Sequence, residues 1–184
     1  MDKEINYGSL WLGLLVALCC LIPFMFDYSN IAPSTDLKDE KDGTTIFLVR
    51  HADRMESEDA LTPLGIQRAE DLKKFLINKN IDIIFSSDFN RTKQTARPLS
   101  KAIGKKPKIY DASDMPALIK KIKDNHRGQN ILIVGHSNTT PEAANLFGAK
   151  PRVANIDHNT YNKIYELYLR SDDSLKMRAL KYGK

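Results

Sequence analysis

Three short polar stretches each follow an apolar run. Arg50-His51-Ala52-Asp53-Arg54 comes after TTIFLV, Ser86-Ser87-Asp88-Phe89-Asn90-Arg91-Thr92 after IDIIF, and Gly135-His136-Ser137-Asn138-Thr139 after ILIV. If the runs are strands of an open α/β sheet, ligands bind beyond their carboxyl ends, and two histidines meet two or three arginines in one crevice. Such a set suits a phosphoryl group, whose charged oxygens guanidinium forks bind bidentately. A neutral imidazole can attack phosphorus and carry the group covalently. A second imidazole can steady the equatorial oxygens as charge develops. Arginine and histidine supply the positive charge, so the reading calls for no metal and no cofactor. Singly, each stretch has a plainer explanation: a chance Arg-His pair, a Ser-Ser-Asp helix cap, a turn histidine. Their occurrence together and in order carries the weight.

The elements that must position these groups alternate. Thr44–Val49 is a β-branched apolar run of strand length, and Thr62-Pro63 supplies an N-cap and a first helical residue. Ile66, Ala69, Leu72, Phe75 and Leu76 then recur at helical spacing. Ile81–Phe85 reads as a second strand. A helix from about Asp88 to Ile103 puts Phe89, Thr92, Ala96, Leu99 and Ile103 on one side, with a bend or break expected at Pro98. Lys108–Tyr110 reads as a short strand, Met115–Lys123 as a short helix capped by Ser113 or Asp114, and Ile131–Val134 as a buried strand. A helix from Pro141 to Phe147 stops at Gly148. Lys163–Arg170 and Ser174–Tyr182 form a hairpin. The prediction is α/β: a three-layer sandwich with a mostly parallel central sheet and helices on both faces.

Composition agrees with one globular domain of ordinary core size: 184 residues, 42% apolar and 28% charged. Both cysteines, Cys19 and Cys20, lie in one apolar run, which excludes a disulfide framework or a cysteine-based zinc site. Residues 1–42 hold three Lys/Arg and seven Asp/Glu, leaving 25 bases and 16 acids for 43–184. That basic balance points to an anionic partner. No aromatic-basic platform or base-reading helix is visible, so nucleic acid is not expected.

Ser9 to Phe26 (SLWLGLLVALCCLIPFMF) carries no charge. As a helix it would rise about 27 Å, nearly the thickness of a bilayer core. Residues 1–28 are therefore expected to be a membrane anchor or a signal segment, 29–43 a linker, and 44–184 the catalytic domain. Asp2 and Glu4 beside Lys3 make a poor signal-peptide start, which favours an uncleaved single-pass anchor. Charge bias directs the domain outward, to an extracytoplasmic, periplasmic-type location; secretion after cleavage is the alternative.

FLVRHADR, LTPLGIQRAE, SSDFNRTKQTARPL and IVGHSNT resemble the histidine phosphatase superfamily, the phosphoglycerate-mutase-like group, from about Thr44 to Tyr168. The resemblance implies a phosphohistidine intermediate. Carried over residue by residue, His51 is the nucleophile, Arg50, Arg91 and His136 hold the phosphoryl oxygens, and Asn138 falls where substrate is contacted. Arg54 could add charge. Larger members place a glutamate proton donor in an insertion that this chain lacks. Asp111, at the end of the short third strand, is the first candidate for that role, with Asp114 and Asp53 behind it. His126 reads as a solvated loop residue, and His158 as a loop residue that could rim the pocket.

The function expected is a metal-independent, membrane-tethered phosphatase acting on a phosphate ester or phosphoramidate. Its substrate would be a phosphorylated small molecule, or a glycolipid or sugar phosphate. The alternative is a non-catalytic phosphate-binding scaffold of the same fold.

Overall fold

A computed structural model describes residues 43–150 and 152–183. The anchor expected at 9–26 lies outside them. Among the described residues no helix is long and apolar enough to cross a membrane.

The elements run β1 (Thr44–Arg50), α1 (Pro63–Leu76), β2 (Ile83–Ser87), α2 (Asn90–Ile103), β3 (Lys108–Tyr110), α3 (Met115–Asn125), β4 (Asn130–Gly135), α4 (Thr139–Phe147), β5 (Lys163–Leu169) and β6 (Leu175–Lys181). The strands form one six-stranded sheet in the order β3-β2-β4-β1-β5-β6. The first four are mutually parallel, and the β5–β6 hairpin continues the sheet antiparallel to β1. The sheet is thus mixed, with its parallel part where the polar stretches lie.

Both faces of β1 are apolar because both are covered. Ile46 and Leu48 join α3 and α4 through Leu118, Ile122, Ala143 and Phe147. Phe47 and Val49 join α1 and α2 through Leu72, Leu76, Ala96 and Leu99. Each fully buried leucine contributes about 1.5–3 kcal/mol, so the three layers hold the sheet from both sides.

The helix signals act as their chemistry dictates. Thr62 Oγ1 accepts the Gly65 amide at 3.0 Å with Pro63 at the first helical position, and Gly148 ends α4 with φ of 109°. Three expectations change. The helix of α2 runs unbroken through Pro98, held by buried Thr95, Ala96 and Leu99. Ile66 points outward, 57% exposed, because Gly65, Arg68, Ala69, Leu72 and Leu76 make the inner face of α1. Strand β2 begins two residues later than expected and ends on Ser86 and Ser87, both fully buried.

Gly65 has a specific task. A Cβ there would run into the Asp53 backbone, so only glycine lets α1 approach the segment after β1. We predict that Gly65→Ala destabilises the fold by about 1–3 kcal/mol, the usual cost of overpacking, read as a lower urea midpoint with an unchanged slope.

Candidate active site

Strand register brings the two histidines together. Arg50 pairs with Gly135 in the parallel β1–β4 ladder, and the His51 amide donates to the Gly135 carbonyl at 2.9 Å. His51 and His136 therefore leave adjacent strand ends side by side, with ring centroids 5.6 Å apart at an interplanar angle of 64°. Gly135 allows this closeness, since a side chain there would meet the Thr139 and Tyr110 hydroxyls.

The His51 ring is oriented by its own chain. Its Nδ1 lies 2.8 Å from the Ala52 carbonyl, which can only accept, so Nδ1 carries the hydrogen and Nε2 keeps a lone pair. The Ala52 amide donates to Thr95 Oγ1 at 2.9 Å, and Thr95 donates to the Arg91 carbonyl at 2.7 Å. The loop that carries His51 is thereby tied to the first turn of α2. Burial, opposed in part by the Ala52 carbonyl and reinforced by Arg50, Arg91 and His136, lowers the His51 pKa to about 3.

His136 is held differently. Arg91 Nη2 sits 3.4 Å from its Nδ1, and a guanidinium only donates, so Nδ1 is the accepting nitrogen. Nε2 then carries the hydrogen and donates to Ser87 Oγ at 2.9 Å. The relay continues from Ser87 Oγ to Thr92 Oγ1 at 3.1 Å, and from Thr92 to the Ser87 and Phe89 carbonyls. Burial, reinforced by Arg91 and opposed by Asp59, lowers His136 to about 4.

Both arginines are braced. Arg50 Nη1 donates to the carbonyls of Asp157, His158 and Thr160, the shortest at 2.7 Å, and its guanidinium lies 4.1 Å over the Tyr161 ring. Arg91 Nη1 donates to Asp59 Oδ1 at 2.7 Å, and its guanidinium lies 4.3 Å over Phe89. The buried Nε atoms of Arg50 and Arg91 have no hydrogen-bond partner among the described residues. An unpaired buried donor on a cation is costly, and both side chains line one cleft of about 560 Å³ together with His51 and His136. Such a cleft is suited to an anion.

The structure brings Arg50, His51, Arg54, Arg91, His136 and Asn138 to this cleft. Arg54 is exposed, with Nη1 on the Met55 carbonyl at 3.2 Å, and exposed Asn138 starts α4 without capping it. The acid candidates fare differently. Asp111 is not among the residues lining the cleft. Its Oδ1 accepts the Ser113 hydroxyl at 2.7 Å and amide at 2.9 Å, which hold the carboxyl below its usual range. An ionised, exposed carboxylate makes a poor proton donor. Asp114 caps α3 through the Ala117 amide. Asp53 is paired with Arg68 at 2.5 Å.

Several supports were not read from the sequence. Ser87 belongs to a buried strand end rather than a cap. Asp59 accepts the Asn90 and Arg91 amides as well as the Arg91 guanidinium, and only its place before Thr62-Pro63 could have hinted at that. His158 does rim the cleft. His126 is half-buried rather than solvated, with Nδ1 2.9 Å from Gln129 Oε1 and its ring edge-on to Phe85. Among the described residues no cluster of His, Cys, Asp and Glu could hold a metal ion.

The model of the histidine phosphatase superfamily, branch 1, matches residues 46–113. No curated protein matches the chain. Solved structures do. The protein histidine phosphatase SixA complexed with tungstate is 15% identical, with a TM-score of 0.58 over 74% of this chain and 96% of that one. A phosphoserine phosphatase from Entamoeba histolytica is 16% identical, with a TM-score of 0.57 over 76% and 96%. A mycobacterial glucosyl-3-phosphoglycerate phosphatase is 13% identical, with a TM-score of 0.60 over 76% and 98%. At these identities the likeness is one of fold.

The two depressed imidazoles make a pH prediction. Unfolded, both titrate near pH 6.5; folded, they titrate near 3 and 4. Between these values the unfolded chain binds more protons, so their contribution is complete above about pH 6.5 and is lost as the pH falls toward 3. The unfolding free energy should fall from pH 7 to pH 5, by at most about 1.4 kcal/mol per pH unit from His51, and be read as a lower thermal midpoint. The slope should be shallower in His51→Asn, and inorganic phosphate should raise the wild-type midpoint.

Proposed function

We propose that the chain is a phosphatase of the histidine phosphatase superfamily, branch 1, whose model matches residues 46–113, and that it hydrolyses a phosphorylated small molecule through a phosphohistidine on His51. The observation that carries this reading is the Nδ1–H bond from His51 to the Ala52 carbonyl, which leaves the Nε2 lone pair in a cleft shared with two braced guanidiniums.

Two displacements follow. His51 Nε2 attacks phosphorus, the P–Nε2 bond forms, and the bond from phosphorus to the leaving atom breaks with its electron pair on the leaving group. Arg50 and Arg91 hold the non-bridging oxygens through both steps, and the bound dianion raises the proton affinity of the nearby His136. Protonated at Nδ1, His136 becomes a donor to a phosphoryl oxygen, while its Nε2–H stays on Ser87. Water then attacks phosphorus, the P–N bond breaks, phosphate leaves, and His51 returns neutral. The low pKa of His51 keeps Nε2 unprotonated throughout the physiological range, so the nucleophile needs no separate base.

With Asp111, Asp114 and Asp53 engaged elsewhere, the leaving group must depart without strong protonation. That favours phosphoramidates and acyl or aryl phosphates over simple alkyl esters. The likeness of fold to a protein histidine phosphatase and a glucosyl-3-phosphoglycerate phosphatase supports a phosphorylated substrate. The apolar run at 9–26 supports an enzyme tethered to a membrane with its domain extracytoplasmic. The non-catalytic alternative has no observation in its favour.

One experiment tests the reading. Full-length chain is expressed, membranes are washed at alkaline pH, and phosphate release from acetyl phosphate is followed with a chelator present. Activity should stay with the washed membranes, persist without metal, and fall at least about 10³-fold in His51→Ala, the scale of losing a covalent nucleophile. Activity that survives His51→Ala defeats the mechanism; activity wholly in the soluble fraction defeats the tether.

A further inference from the structure

A second hollow, of about 720 Å³, lies toward the sheet edge where β2 and β3 end, and it shares Arg91, His136 and Asn138 with the phosphoryl cleft. Its lining differs in kind. Phe89 and Ile109 both contribute to it and are 40% and 49% exposed. Exposed large apolar side chains gathered beside a reactive centre mark a binding surface. Phe89 is also fixed rather than loose. Its ring packs edge-on against His136 at 5.0 Å and lies under the Arg91 guanidinium at 4.3 Å.

The charges around this hollow mostly cancel. Arg91 is paired with Asp59, and Asp88 with Lys93 at 2.9 Å. Asp111 is left as the unmatched charge, ionised and exposed at the rim, with one carboxylate oxygen on Ser113. A phosphate that carries a second anion would bring it toward Asp111. A flat apolar group would instead cover Phe89 and Ile109.

We propose that this hollow is the leaving-group subsite, and that it takes a planar aromatic group, neutral or cationic, whose phosphate sits in the adjoining cleft. The substrate class is then an aryl or heteroaryl phosphate or phosphoramidate, in preference to a sugar phosphate or a carboxylate-bearing phosphate. The assignment rests on the phosphoryl reading of the His51 cleft. It gives Asp111 the work of selecting charge rather than donating a proton.

The test is calorimetric titration of the detergent-solubilised full chain with phosphonates, which cannot turn over. Phenylphosphonate should bind about tenfold more tightly than methylphosphonate, the scale of one aromatic contact plus the area it buries. The ratio should fall toward one in Phe89→Ala and in Ile109→Ser, the latter altering an exposed edge-strand residue that carries no core packing. 4-Aminomethylphenylphosphonate should bind more tightly than 4-carboxyphenylphosphonate, by a margin that narrows in Asp111→Asn. Equal affinity for phenyl and methyl, or a ratio indifferent to both apolar substitutions, overturns the subsite while the phosphoryl cleft stands. Failure of every phosphonate to bind overturns both.

Discussion

Two guanidiniums and two imidazoles crowded beneath a protein surface repel one another, and most of the structure around the cleft serves to make that crowding tolerable. The imidazoles yield by staying neutral, burial first and the neighbouring cations second holding their pKa values near 3 and 4. The guanidiniums cannot yield, so each is given partners: three loop carbonyls and the Tyr161 face for Arg50, Asp59 and the Phe89 face for Arg91. What is left over, a buried Nε–H on each, is the preorganised demand for an anion. Preorganisation of this kind stabilises a phosphoryl transition state without rearrangement at the moment of reaction.

The sheet supplies the geometry of that crowding. Because β4 inserts between β1 and β2, the carboxyl ends of the first, second and fourth strands are neighbours. The β1–β4 register then fixes His51 against His136. Neither histidine is set by its own loop alone. The Ala52–Thr95–Arg91 chain links the His51 loop to α2, and Ser87 links His136 to β2 and, through Thr92, to α2, so a small shift of α2 moves both imidazoles.

Much of this could be read from the residues because it depends on short-range rules. Strand runs, the Thr62-Pro63 cap and the Gly148 stop are local signals, and Arg50-His51, Arg91 and Gly135-His136 each sit at the end of an apolar run. The unread parts depend on what approaches from far along the chain. Ser87 looks like a cap residue until β4 is placed beside it. Asp59 reaches Arg91 across 32 residues, and the carbonyls that brace Arg50 lie more than 100 residues away. Ile66 fits a helical stripe in spacing, yet Arg68 takes an inner place because Asp53 is there to meet it. Asp111 stands at a strand end, as a proton donor would, yet its carboxylate is taken by the hydroxyl and amide of Ser113 two residues on.

The proposed mechanism requires a covalent bond between phosphorus and His51 Nε2. The direct measurement is to mix the full-length chain with radiolabelled acetyl phosphate, quench in alkali, and map the labelled peptide by mass spectrometry. An alkali-stable, acid-labile phosphoryl group on His51, formed and lost as fast as turnover, is the predicted result. Turnover with no labelled protein, or with the label on another residue, would contradict it.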